Sequence, residues 1–208
     1  MSISNISGLH FQPWVGKEYD TKGRLLLLGE SHYLDDEPNE EDDFSIGYGD
    51  MTIEVIRDGH LAGKDMRTPF FRNIGFLFYP DDCFKIWNEV AFANAIQIGL
   101  PKAKSQPGTR EIETIAPAFQ LLLDGLKPEK VMVLSKRMWF QNWIPEDRGQ
   151  FVSHIVENGK RSTVWQYEYV GGRCLAVAIA HPSRMRGNSY NKWKPLVDNF
   201  LSMPLSKG

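Results

Sequence analysis

An apolar run, Leu25 to Leu28, stops at Gly29, Glu30, Ser31, His32 and Tyr33, residue types for which a core has no use. A carboxylate can orient water or offset positive charge, a serine can attack, and an imidazole can move protons. Three other apolar runs end in a comparable way. Asn94 follows Glu89–Ala93, Ser135, Lys136 and Arg137 follow Lys130–Leu134, and His181, Pro182 and Ser183 follow Cys174–Ala180. An amide such as Asn94 offers a donor and an acceptor together, which suits it to gripping a polar edge.

The four runs, counting the first as Arg24–Leu28, read as strands buried on both faces: short, apolar and bounded by polar or turn residues. Between the second and third, IAPAFQLLLDGL places Ile115, Phe119, Leu122, Leu123 and Leu126 at helical spacing. Strands alternating with crossover helices predict an α/β fold, three layers α/β/α around a central four-stranded parallel sheet. Gly171-Gly172, between STVWQYEYV and the last strand, predicts a hairpin that adds one antiparallel strand. A closing helix is expected over 188–201, weakened early by Pro195. In an open parallel sheet, ligands bind beyond the carboxyl ends of the strands, where all four polar groups fall.

A chain of 208 residues with 42% apolar, 12% aromatic and 24% charged residues fits one well-cored domain, taken as 1–208. No apolar run approaches the roughly 20 residues of a membrane span, and the N-terminus lacks a basic start followed by an apolar stretch. Cytoplasmic residence is expected, with Cys83 and Cys174 as free thiols. No metal-ligand spacing such as CxxC or HExxH occurs, so neither metal nor cofactor is expected. The net charge of −2 excludes a grossly basic nucleic-acid binder, but the charges are unevenly placed. DDEPNEEDD at 35–43 concentrates acid, whereas Arg173, Arg184, Arg186, Lys192 and Lys194 make the C-terminal part basic.

In order and spacing these elements resemble the uracil-DNA glycosylase superfamily. GESHY at 29–33 takes the place of its G-Q-D-P-Y-H motif and HPSRM at 181–185 that of its last motif. FSI at 44–46, TPFFRNI at 68–74 and FANAIQIGL at 92–100 resemble the elements between. The resemblance implies an enzyme that flips a nucleotide out of DNA, hydrolyses its N-glycosidic bond and leaves an abasic site without a lyase step. It implies that Phe44 stacks on the base, that Asn94 reads it, and that His181 donates to the departing base oxygen. It further implies that Met185, where the family commonly has Leu, wedges into the base stack, with Ser183, Arg184 and Arg186 beside it on the DNA backbone. DNA is the implied partner, with no obligate protein partner and a monomer expected; repair and defence against phage DNA are both compatible settings.

The sequence departs from the best-studied branch where Ser31 replaces the Asp that orients the attacking water. Glu30 is the expected substitute, with His32 as second candidate. Tyr33 either shields the pocket from a thymine methyl or packs. The acidic run either points away from DNA or accepts hydrogen bonds from a bulky modified base, such as a sugar-decorated cytosine. Two other readings stay open. Ser31, His181 and Glu30 could form a hydrolase triad, although Tyr33 occupies the position of the second glycine of a nucleophile elbow. Alternatively, loss of the Asp leaves a protein that binds nucleic acid or a modified nucleotide without cutting it.

Overall fold

The computed structural model describes residues 5–34, 48–62, 69–102, 105–185 and 189–205. Seven strands form one mixed sheet: β1 Trp14–Val15, β2 Leu25–Gly29, β3 Val90–Asn94, β4 Lys130–Val133, β5 Gly149–Glu157, β6 Lys160–Tyr169 and β7 Gly172–Ala178. Their order across the sheet is β1-β3-β2-β4-β7-β6-β5. The pairings β3-β2, β2-β4 and β4-β7 are parallel, whereas β1-β3, β7-β6 and β6-β5 are antiparallel. Beyond the expected parallel strands and the hairpin strand, the sheet gains β1 and β5, which makes it seven-stranded and mixed.

Two strands escaped the sequence reading for different reasons. β1 is only two residues long. Most of β5 is solvent-facing, so it carries no apolar alternation to reveal it. It pairs with β6 across Asn158-Gly159, both residues at positive φ (47° and 70°), a turn that Asn-Gly favours because neither central position tolerates a bulky side chain. The expected hairpin at Gly171 forms between β6 and β7, with Gly171 at a φ of 86°.

Along the central strands, alternate residues feed two separate cores. Leu26, Leu28, Ala91, Ala93, Val131 and Val133 face one cluster; Leu25, Leu27, Val90, Phe92 and Met132 face the other. This period of two buries both faces of the sheet, and helices close each side. The helices are α1 Met51–Glu54 (continuing as a π-turn over Val55–Leu61), α2 Pro69–Phe78, α3 Thr109–Glu113, α4 Ile115–Leu126, α5 Lys136–Phe140 and α6 Tyr190–Ser202. α4 packs Ile115, Ala118, Phe119, Leu122, Leu123 and Leu126 on the first face, matching the expected spacing. Ile74 and Leu77 of α2 join Trp193, Leu196, Val197 and Phe200 of α6 on the second.

α6 runs through Pro195, and its C-terminal end is held by a buried lysine. Lys130 Nζ donates to the carbonyls of Leu201 and Met203, groups a helix end otherwise leaves unsatisfied. Cys83 and Cys174 are free and buried. No helix among the described residues is long and apolar enough to cross a membrane.

Candidate functional site

The parallel register brings the ends of β3, β2 and β4 level, with β7 beside them. Gly29 pairs with Asn94, and the ladder continues through Ala95 N–H to Gly29 O and Ile96 N–H to Glu30 O. On the other side Leu134 N–H donates to Leu28 O, and Ile179 N–H to Val133 O. Asn94, Glu30, Ser135 and His181 therefore stand at one edge of the sheet, each at or just beyond its strand's carboxyl end.

Glu30 is 7% exposed and fully engaged on one side. Ser135 Oγ donates to its Oε2 at 3.2 Å, Arg137 Nε donates to the same oxygen at 3.4 Å, and Arg137 Nη2 pairs with Oε1. A carboxylate has about four acceptor positions, so this arrangement leaves room for one further donor, such as a water. Arg137 also donates to Gln106 and lies over the Trp143 ring at 5.1 Å. The sequence showed Arg137 at a strand end but gave no sign that it would bridge to Glu30, because nothing in spacing reveals contacts between strands.

His181 follows β7 and caps a short 3-10 turn, Pro182–Arg184. Its Nδ1 accepts the Ser183 backbone N–H at 3.3 Å. Burial pushes its pKa below the usual histidine range; Glu30 pulls it back up, and Arg184 and Arg137 add to the lowering. The imidazole is therefore neutral near pH 7, and because Nδ1 supplies the lone pair, Nε2 carries the proton and is a donor.

Aromatic rings link His181 to the other end of the site. Phe70 of α2 lies 5.1 Å from the His181 ring, tilted by 41°, and 6.1 Å from Phe92. Phe92 in turn approaches Gly29, where an added Cβ would lie 3.1 Å from the ring and 2.2 Å from Asn94 Oδ1. Only glycine at 29 lets Asn94 occupy its place. Asn94 is buried. Gln97 holds the following turn, donating to Asn94 O and accepting from the backbone N–H groups of His10 and Phe11.

Asn73 fixes the loop after β7, its amide donating to the carbonyls of Pro182 and Met185 at 2.9 and 3.2 Å. It belongs to the TPFFRNI segment, where local spacing carries no sign of a contact with a loop more than a hundred residues away. This bracing turns Met185 inward, where it is 2% exposed within the second core. The expectation that Met185 projects as a wedge is corrected: packing claims the side chain. Arg184 and Ser183 remain exposed.

The other residues of GESHY face different surroundings. His32 is buried, its Nε2 2.7 Å from Thr52 Oγ1 and its ring 4.7 Å from Phe11. Burial, reinforced by His10, lowers its pKa to about 4. It is a neutral packing residue, not a second water-orienting group. Among the described residues Ser31 Oγ is buried without a hydrogen-bond partner, so no hydrogen bond joins it to His181. Tyr33 forms an isolated parallel bridge with Leu100. Phe44, Arg186 and the acidic run 35–43 lie outside the described residues.

No group of three or more His, Cys, Asp or Glu suited to a metal ion occurs among the described residues. A cavity of about 360 Å³ is lined in part by Lys136, Trp139, Arg161 and Thr163. A second, of about 260 Å³, lies near Lys22, Tyr79 and Glu129. Neither is lined by Glu30, Asn94 or His181. No family model matches the chain, and no curated protein matches its sequence.

Proposed function

We propose that the chain is a DNA glycosylase that hydrolyses the N-glycosidic bond of a flipped uracil-like or modified pyrimidine. In this reading the parallel block β3-β2-β4-β7 is the four-stranded sheet of a uracil-DNA glycosylase-like α/β/α fold, and β1, β5 and β6 are additions. One observation carries it. Glu30, Asn94 and a His181 with Nε2–H as donor stand at the carboxyl ends of strands in one parallel block, although they are far apart in sequence.

The chemistry assigns each group one task. As the glycosidic bond breaks, its electron pair leaves on the base and positive charge develops on the sugar. His181 Nε2–H donates to the base oxygen and spreads that negative charge. Glu30, paired with Arg137, offsets the sugar's charge and holds a water through its remaining acceptor position. The water's oxygen bonds to the sugar and its proton compensates the departing base. Asn94 reads the base edge through its amide, and Phe70 offers an aromatic face beside His181. The test is incubation with end-labelled oligonucleotides carrying uracil or modified pyrimidines, followed by alkali. Strand breaks at the target base support the reading, and intact strands across the panel refute it.

A second reading draws on the Arg137 contact itself. A guanidinium that neutralises Glu30 weakens its pull on a developing cation, as expected of a protein that binds a flipped or modified nucleotide without cutting it. Binding of the same oligonucleotides with no alkali-labile product would favour it. The hydrolase alternative loses support because Ser31 Oγ has no hydrogen-bond partner and His181 Nδ1 is committed to Ser183.

A further inference from the structure

Next to the candidate site lies a cavity of about 360 Å³ with a consistent chemical character. Its wall includes Lys136, Arg161, His154 and Thr163 together with the aromatic rings of Trp139 and Phe140, and no carboxylate lines it. Lys136 Nζ donates to the Arg161 carbonyl at 2.5 Å and lies 5.1 Å from the Trp193 ring, over which Lys160 also sits. Among the described residues none of Lys136, Lys160 and Arg161 forms a salt bridge. Burial and the neighbouring Lys160 charge both lower the Lys136 pKa, as expected where cations gather without a counter-charge. Phe140 is 80% exposed, with Lys136 Nζ 5.9 Å from its ring centroid, so its ring is open to a stacking partner beside a cation. Cations without a salt-bridge partner among the described residues, beside an exposed aromatic ring, match the two faces of a nucleotide, an anionic phosphate and a stackable base.

The cavity's position adds to this. Lys136 lies between Ser135 and Arg137, both of which bond Glu30, and the Ala178 that lines the cavity is three residues before His181. The hairpin strand β6 supplies the opposite wall through 161–163 and is tied to β7 by Ser162 Oγ donating to Ala178 O at 2.5 Å. A strand with one nucleotide at Glu30 would thus have its neighbour within reach of the cavity.

We propose that this cavity is a second nucleotide subsite, in which Lys136 and Arg161 hold a phosphate and Phe140 stacks on the base of the nucleotide flanking the one at Glu30. The inference rests on the glycosylase reading for the occupant of the first site, but binding and cleavage test the two separately. The experiment measures fluorescence anisotropy of a labelled single-stranded oligonucleotide with wild-type protein, Arg161→Glu, Phe140→Ala and Lys17→Glu, alongside alkali-revealed excision. Arg161 and Lys17 are exposed, as is Phe140, so all three variants should fold, and thermal melts check this.

The expected result is at least tenfold weaker binding for Arg161→Glu, at least threefold for Phe140→Ala, and no change for Lys17→Glu. Wild-type affinity in both cavity variants overturns the subsite and leaves the glycosylase reading standing. Variant-sensitive binding with no excision of any base supports the subsite and overturns the glycosylase reading. Absence of oligonucleotide binding by the wild-type protein overturns the subsite.

Discussion

The Arg137 guanidinium grips the Glu30 carboxylate through Nε and Nη2, joining the end of β2 to the first turn of α5. A carboxylate this buried is not stable alone. Arg137→Ala should cost about 2 kcal/mol in chemical denaturation, less than a fully buried pair because Arg137 is 33% exposed. The double variant Arg137→Ala/Glu30→Gln should recover most of that loss, since it leaves no unpaired charge. A loss that persists in the double variant would show that the Arg137 contacts with Trp143 and Gln106, not the ion pair, stabilise this corner.

Excision separates Glu30 from its neighbours. Glu30→Gln should slow single-turnover base release about 100-fold, the order expected for removing one preorganised electrostatic group. Ser31→Ala should leave the rate within about threefold, because its hydroxyl bonds nothing. The reverse ranking would restore Ser31 as the reactive group.

His181 titrates in a way that NMR can read. Its folded-state pKa lies below the unfolded value, so its ring proton shifts should turn over below pH 6.5. Protonation removes the Nδ1 lone pair that accepts the Ser183 amide, so the Ser183 N–H resonance should move with the same midpoint. A Ser183 amide indifferent to that titration would contradict the assigned tautomer.

His32 links acidity to stability. Its pKa is about 4 in the folded protein against about 6.5 unfolded, so the unfolded chain binds more protons between those values. The stabilisation from keeping His32 neutral is complete above pH 6.5 and falls as pH drops toward 4, by at most about 3 kcal/mol. Denaturation at pH 7.5 and 4.5 should show a smaller acid loss in His32→Gln than in wild type. Equal losses would place the acid sensitivity elsewhere.

At the far edge of the sheet, Lys130→Met should lose about 1–2 kcal/mol, since the Leu201 and Met203 carbonyls lose their donor while the aliphatic packing is largely kept. Hydrogen exchange should show the loss as fraying of the last turn of α6. Unchanged exchange there would mean that water replaces the lysine without cost.

The most readable parts of the sequence were those where one physical term dominates. β2, β3, β4 and β7 are buried on both faces and α4 carries a clean apolar stripe, so hydrophobicity alone located them to within two residues at each end. The polar residues at their ends were legible for the same reason. What depended on contact between distant segments was not. Arg137 could be seen but not its bond to Glu30, and Met185 looked like an exposed apolar residue until Asn73 turned its loop inward. β5 escaped because its exposed face hides the alternation, although Asn158-Gly159 marked its turn.

The tight fit of Asn94 over Gly29 makes one methyl group a sensitive lever. In the proposed glycosylase, a Gly29→Ala chain would keep Glu30, Arg137 and His181 chemically intact yet force the amide aside, removing the base contact while leaving the bond-breaking groups in place. On that reading, a side chain at this position forces base recognition onto other residues.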